Sequence, residues 1–381
     1  MTLPTRLGVA FWATFFVLGV YLPFWPVWLE SRGLAPELIG VALGLGAWAR
    51  LIVNPLMGGF ADRSGRTRAI AVALAAGVLV SYLLFIVAQG AVALLALSFL
   101  LGCTFAPLVP LIDATAVSAA ARGAVDYGRS RRWGSAAFIV ASVGVGWLLE
   151  GADESAILYV LIGGVAAMVL AMTLLPPRTQ VRPSPSTTGV RAQLRRPHFR
   201  LFLLTCACLH GSHAVLYAYG TPHWRTAGIE ESTIGWLWAE GVIAEIVLFS
   251  FAARIGKRVS GPGLMAIAGV GGLVRWPVLA LTTSVPLLAL GQLLHALTFA
   301  ATHLGAMALI RQQVPSDETA GATALYSGVA TGLAFGVGLP LAGFLYTAIG
   351  SAAYFVMAGV SALGLVAALI LRRRPGLTNV G

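Results

Sequence analysis

The feature that most constrains this chain is the recurrence of apolar runs long enough to cross a membrane. A helix needs about 20 apolar residues to span the hydrocarbon core. Such runs occupy Leu7–Leu29, Leu38–Phe60, Ala69–Ala88, Ala91–Ala119, Arg132–Leu149 and Ile157–Leu175. A polar stretch rich in Pro, Ser, Thr and Arg follows, from Pro176 to His198. The second series is Phe199–Trp224, Ile234–Ile255, Leu264–Thr282, Pro286–Ile310, Ala320–Ile349 and Ala352–Leu371. In lipid each spanning segment must satisfy its own backbone hydrogen bonds, so the runs are expected as helices. The pattern predicts an all-α membrane protein with twelve transmembrane helices in two pseudo-symmetric six-helix bundles. Residues 1–175 and 199–381 form the bundles, and 176–198 is a central linker.

Composition agrees. Only 10% of the 381 residues are charged, and the mean hydropathy is +0.86, whereas soluble domains carry about 25% charged residues. A net charge of +11 would suggest nucleic acid in a soluble protein. Here the basic residues lie in short connections, so no nucleic-acid partner is expected. The cysteines Cys103, Cys206 and Cys208 sit inside apolar runs with no CxxC spacing, so neither a metal nor a disulfide framework is expected. Met1–Arg6 leads into a first run with no small-residue cleavage pattern, which reads as a retained helix.

Arginine placement gives an orientation. One set of connections holds Arg6, Arg63, Arg66, Arg68, Arg122, Arg129, Arg131, Arg132, the linker, Arg254, Lys257, Arg258, Arg311 and Arg372 to Arg374. The alternate set holds only Arg32 and Arg225, among Glu30, Glu37, Glu150, Asp153, Glu154, Glu230 and Glu231. Both termini are therefore expected on the cytoplasmic side of a bacterial inner membrane. No loop can hold a nucleotide-binding domain, and neither a Walker pattern nor HExxH occurs. The expectation is a transporter that uses no ATP motor and no cofactor, and not an enzyme.

The loop after the second run reads Gly58-Gly59-Phe60-Ala61-Asp62-Arg63-Ser64-Gly65-Arg66-Thr67-Arg68. It resembles the G-x-x-x-D-R-x-G-R signature of the major facilitator superfamily. Gly58, Asp62, Arg63, Gly65 and Arg66 are accordingly the candidate conformational gate: Gly58 for close helix approach, and Asp62 as a charge that latches one conformation. Arg254-Ile255-Gly256-Lys257-Arg258 is a degenerate echo without the acid.

A finer resemblance covers nearly the whole chain. Tyr21-Leu22-Pro23-Phe24-Trp25-Pro26-Val27-Trp28-Leu29, Tyr127-Gly128-Arg129-Ser130-Arg131-Arg132-Trp133-Gly134-Ser135, Glu245-Ile246-Val247-Leu248-Phe249, Arg275-Trp276 and Leu294-His295-Ala296-Leu297-Thr298-Phe299 are similar to segments of the lactose permease and 3-phenylpropionate permease groups. The Trp-Gly-Ser, Arg-Trp and Leu-His-Ala variants lean to the phenylpropionate side. The resemblance implies an alternating-access symporter with a mid-membrane site between the halves. It implies that Asp113 and Arg131 face substrate, and that Glu245, Arg275 and His295 form the coupling group. Thr298 stands where the lactose permease group carries an acid, so that carboxylate cannot couple protons in this chain.

A charged side chain at the centre of a span costs about 2.5–3.5 kcal/mol on insertion scales, so each one faces a cavity or a partner. Asp113 and Arg131 could instead be a structural ion pair between adjacent helices. Glu240 and Glu245 are five residues apart and point in different directions. Arg50 serves either gate pairing or substrate. His210 and His213 share a helix face, as do His295, Phe299 and His303. His303 is expected to bond a backbone carbonyl. Trp133, Trp236 and Trp276 adjoin the candidate charges, and Trp133 and Trp276 are candidates for holding a ring. Trp25, Trp28 and Trp224 are expected as interfacial anchors.

The first reading is proton-coupled import of a small organic acid such as 3-phenylpropionate, the carboxylate being held by arginine. Partners are then a small-molecule substrate, protons and membrane lipid, with the chain acting as a monomer. Sugar or nucleoside symport is the alternative. Drug efflux by antiport is disfavoured, because antiporters of the superfamily carry G-x-x-x-G-P-x-x-G-G on the fifth helix. Here Gly134 through Gly146 contains no proline. A receptor or a lipid-handling enzyme would need other signals, and no paired nucleophile and base stands out.

Overall fold

The structure is a computed structural model that describes residues 1–177, 193–315 and 318–374, with the side chains of Asp62 and Ala320 also left undescribed. Among the described residues there is no strand, and the helical segments group into twelve long stretches, with one short helix, Ala252–Gly256, between the eighth and ninth. They are α1 (Leu3–Ser31), α2 (Pro36–Ser64), α3 (Thr67–Val87), α4 (Gly90–Ala121), α5 (Tyr127–Leu149) and α6 (Ser155–Thr173). After the linker come α7 (Pro197–Thr226), α8 (Glu231–Ser250), α9 (Gly261–Leu281) and α10 (Val285–Gln313). The last two are α11, which runs from Thr319–Ser327 into Ala334–Ile349, and α12 (Ala353–Arg372). By length and apolarity eleven stretches qualify as membrane spans. The last of these, Gly321–Arg372, is 52 residues long and holds both α11 and α12 around Gly350. The protein is an integral multi-pass membrane protein.

Two compact units divide the chain: Met1–Pro183 with Trp224–Ala239, and Ser184–His223 with Glu240–Gly381. In the first, α1 packs along α5 and α6, α2 along α4, and α3 along α6. In the second, α9 packs along α12 and α10, and α12 along α7. Between membrane helices there is little hydrophobic drive, so close packing of small residues does the work. A Cβ on Gly19 would lie 2.6 Å from the Phe138 carbonyl oxygen, and one on Gly102 would lie 2.6 Å from the Gly46 Cα. These two glycines set how near α1 comes to α5, and α4 to α2.

The helix ends follow local chemistry. Asp126 accepts a 3.0 Å bond from the Arg129 N–H and caps α5. Ser260 caps α9 through the Gly263 N–H. Gly65 closes α2 at φ +62, a left-handed cap that suits glycine.

Four spans are less regular than their apolar runs suggest. Helix α4 breaks between Phe105 and Leu108, where Pro107 cannot donate to the ladder. Helix α7 breaks at Ser212 and His213. There the Ser212 hydroxyl and the His213 ring both bond the Leu209 carbonyl and take over acceptors that the helix would use. Helices α10 and α11 contain π turns at Ala296–Ala301 and Gly328–Leu333.

Two expectations are corrected here. Gly58 is not at a close helix approach: a Cβ there would meet nothing within 4 Å. Trp25, Trp28 and Trp224 are core residues and not interfacial anchors, at 1%, 2% and 0% exposure. Trp25 and Trp28 stack at 4.5 Å, with Phe85 edge-on to both.

Candidate functional site

In the second unit, the α7 break, the α10 π turn and the middle of α9 converge on one buried arginine. Arg275 is fully buried. Its Nη1 donates to Thr298 Oγ1 at 2.8 Å and contacts His295 Nδ1 at 3.1 Å, while Nη2 donates to Gln292 Oε1 at 2.8 Å. Each of these partners is neutral. The Arg275 Nε is buried with no hydrogen-bond partner. π turns inside helices frequently mark functional positions, and this one begins beside His295 and carries Thr298 and Phe299.

Proton positions follow from donor arithmetic. A guanidinium can only donate, so His295 Nδ1 accepts and the neutral ring carries its hydrogen on Nε2. That Nε2 faces Glu245 Oε2 at 3.7 Å. On the other side, the His213 Nδ1 lies 3.2 Å and 3.1 Å from the Leu209 and His210 carbonyls and must donate. His213 Nε2 therefore accepts from the Thr298 hydroxyl at 3.1 Å. Thr298 accepts from Arg275, and its single hydrogen faces His213 Nε2 at 3.1 Å, with the Leu294 and His295 carbonyls as longer acceptors at 3.3 and 3.4 Å. The residue that departs from the lactose permease pattern is thus a relay within the network, and it leaves the guanidinium without a carboxylate at that position.

Aromatic rings enclose this network. Trp276 lies beneath the guanidinium at 4.9 Å and edge-on to His213 at 5.0 Å. His295 stacks on Phe299 at 5.2 Å. Trp276 is itself fully buried, with its indole N–H bonded to Ser361 Oγ at 2.9 Å. The expectation that Trp276 holds a substrate ring is corrected to a platform under Arg275, because no face of it is open in this conformation. A second cluster adjoins: His210 Nε2 and His303 Nδ1 reach the Tyr326 hydroxyl at 3.0 and 3.1 Å. His303 thus bonds a phenol through Nδ1.

The first unit holds the other candidate pair. Asp113 accepts from the Tyr127 hydroxyl at 3.0 Å. The Arg131 guanidinium carbon sits over the Phe15 ring, 3.9 Å from its centroid, with Phe11 at 5.6 Å. Among the described residues Asp113 and Arg131 do not come within ion-pair distance, so the direct pair is corrected to two charges joined through Tyr127 and an aromatic wall. Trp133 is 48% exposed and edge-on to Trp12 at 6.1 Å. Arg50 is half-buried, within electrostatic reach of Tyr21.

In the gate loop Arg63 and Arg66 are exposed and Gly65 is the helix cap. Asp62 belongs to α2, but its side chain lies outside the described residues. At the opposite ends of the helices, Arg225 bonds Glu154 at 2.8 Å and Glu231 at 2.9 Å. That hydrogen bond holds the Glu154 carboxyl below its ordinary value.

Sequence alone points to Arg275, His295 and Glu245 but gives no role to Gln292, Tyr326 or His213. Gln292 stands three residues before His295 on α10 and is findable as a buried amide in an apolar run. Tyr326 gives no signal, because a tyrosine in a span reads as packing.

A helical membrane fold carrying buried, hydrogen-bonded charges suits a transporter, and comparison gives the family. The chain belongs to the MFS_1 like family, which it matches over residues 5–357. It is 37% identical over 363 residues to a "Probable 3-phenylpropionic acid transporter" of Escherichia coli strain K12, covering 93% of this chain and 94% of the relative. It is 26% identical over 330 residues to a maltose permease of Geobacillus stearothermophilus, covering 84% and 82%. The crystal structure of a mutant of the nucleoside transporter NupG superposes with a TM-score of 0.88 at 16% identity, over 97% of this chain and all of that one.

Proposed function

We propose that this transporter imports a small organic acid, such as 3-phenylpropionate, by alternating access and coupled to protons across a bacterial inner membrane with both termini cytoplasmic. The observation that carries the reading is Arg275: a fully buried guanidinium whose hydrogen bonds all go to neutral acceptors and whose Nε is unspent. A buried charge calls for a counter-charge, and a substrate carboxylate supplies one. Arg131, held over Phe15, is the second cation of the proposal, with Asp113 and Trp133 as further candidates in the first unit. Similarity to the 3-phenylpropionic acid transporter favours an aryl ring on that acid. Sugars and nucleosides offer no formal charge to Arg275, which ranks them second.

In the proposal Glu245 carries the proton, His295 and Arg275 link it to substrate, and the Gly58–Arg66 loop gates the cycle. The chain acts as a monomer without a cofactor. Uptake of labelled 3-phenylpropionate into proteoliposomes should rise with an imposed inward proton gradient. A panel of sugars and nucleosides should leave that uptake uncompeted. Glu245→Gln should abolish accumulation while leaving substrate exchange. Uptake indifferent to the gradient, or transport of nucleosides and not of acids, would overturn the reading.

A further inference from the structure

A groove of 780 Å³ runs along the second unit between α9, α10 and α12; Arg275, His295 and Thr298 do not line it, although their neighbours Val274, Leu294 and Leu297 do. Its floor is a stripe on α9: Gly263, Ala266, Ile267, Val270, Gly271 and Val274. Their three- and four-residue spacing puts them on one helix face. The small members make the face concave, while Val270 and Val274 are each 52% exposed. From Ser260 to Val274 the stripe extends about 20 Å at 1.5 Å per residue. That exceeds the depth of one leaflet, about half of a 30 Å hydrocarbon core.

One end of the groove differs chemically from the rest. Arg258, just before α9, and Arg372, at the end of α12, both line it. Both are exposed, and among the described residues neither enters an ion pair. The same end holds the N-terminus of α9, whose dipole favours an anion. Walls that suit hydrocarbon thus lead to two guanidiniums and a helix N-terminus at the membrane boundary. Arginine forks match phosphate oxygens.

We infer that this groove is a binding site for an anionic glycerophospholipid, with its phosphate held between Arg258 and Arg372 and an acyl chain lying along the α9 stripe. The apolar length excludes a free phosphate as the occupant, and the two cations exclude a zwitterionic lipid as the preferred one. Basic pockets between membrane helices commonly select anionic head groups.

The test uses the full-length protein in a neutral detergent, with lipid binding followed by native mass spectrometry and thermal unfolding. Phosphatidylglycerol should bind at least about 10-fold more tightly than phosphatidylcholine, which for a single site corresponds to about 1.4 kcal/mol. Inorganic phosphate should not protect. The double variant Arg258→Gln/Arg372→Gln should lose that preference. Val270→Trp, which fills the groove without touching charge, should weaken phosphatidylglycerol binding about as much. Equal binding of the two lipids by the wild type overturns the inference, as does phosphate protecting as well as the lipid. Should the double variant fail to fold, unchanged lipid binding by Val270→Trp decides against the site.

Discussion

Replacing Thr298 with Asp would put a carboxylate where a hydroxyl now accepts a 2.8 Å hydrogen bond from Arg275. If the guanidinium is the counter-charge for a substrate carboxylate, an internal carboxylate becomes its competitor. Two unit charges about 4 Å apart at an effective dielectric near 20 attract by about 4 kcal/mol. Desolvation of the new carboxylate takes back a substantial part of this. A net of about 2 kcal/mol weakens substrate binding about 30-fold. The His213 ring would also lose its donor, since an ionised Asp has no proton to give. Thr298→Val is the control: it removes the hydroxyl and its bonds to Arg275 and His213, costs about 1.5–3 kcal/mol of stability because one partner is charged, and adds no charge. Binding of labelled arylalkanoate to purified protein, with thermal unfolding in parallel, separates the two effects. Thr298→Asp should bind about 30-fold more weakly while remaining folded, and Thr298→Val should stay within about threefold of wild type. A folded Thr298→Asp protein with wild-type affinity would refute the counter-charge role of Arg275.

Arg131→Lys should weaken binding about 10-fold, because an ammonium lacks the planar fork of the guanidinium held over Phe15; wild-type affinity in the same assay would remove Arg131 from the site. Gly19→Ala forces a Cβ onto the Phe138 backbone and should cost about 1–3 kcal/mol in thermal unfolding, whereas Gly58→Ala meets open space and should unfold as wild type does. Equal losses would contradict the packing described for α1 and α5. Glu154 has a lowered pKa in the folded protein, so its contribution is present above the ordinary carboxylate value of about 4.3 and is lost as pH falls through the lowered value. Being about a third exposed, the ion pair is worth about 1 kcal/mol or less. Glu154→Gln should lower stability at pH 7 by that amount and flatten the wild-type loss below about pH 4, and a parallel acid transition in both proteins would refute the pairing.

How much of this was legible in the sequence depends on which force sets each feature. Spans were legible because crossing hydrocarbon fixes both length and composition, and Arg275 and His295 because a charge in a span has few reasons to be there. The break at Pro107 was not read from the chain, since Pro55, Pro277 and Pro340 lie inside helices that continue through them. Nor was the π turn at Ala296–Ala301, since it depends on how α10 meets α7 and α9. Gly58 illustrates the opposite failure: the motif was read correctly, but close approach was inferred from residue type, whereas Gly19, Gly102, Gly146 and Gly235 are set against a neighbouring backbone in the first unit. The tryptophans misled for a similar reason. Trp25, Trp28 and Trp224 lie near run ends, where anchors are common, yet each ring is buried inside the unit.

His295 sets a condition on the proposed coupling. As the acceptor for an Arg275 N–H, it can be neutral only with its hydrogen on Nε2, which points at Glu245. An imidazolium would bear a second hydrogen on Nδ1, directed at the guanidinium Nη1–H along a nitrogen-to-nitrogen line of 3.1 Å, and two donors cannot share that line. His295 therefore cannot hold a proton and keep Arg275 at once. A proton arriving at Glu245 leaves this contact intact, while one passed on to His295 must release Arg275 from its ring. The released guanidinium would then have one neutral acceptor fewer and a stronger demand for an anion. Proton and carboxylate thus favour each other at the same arginine, without any acid at position 298.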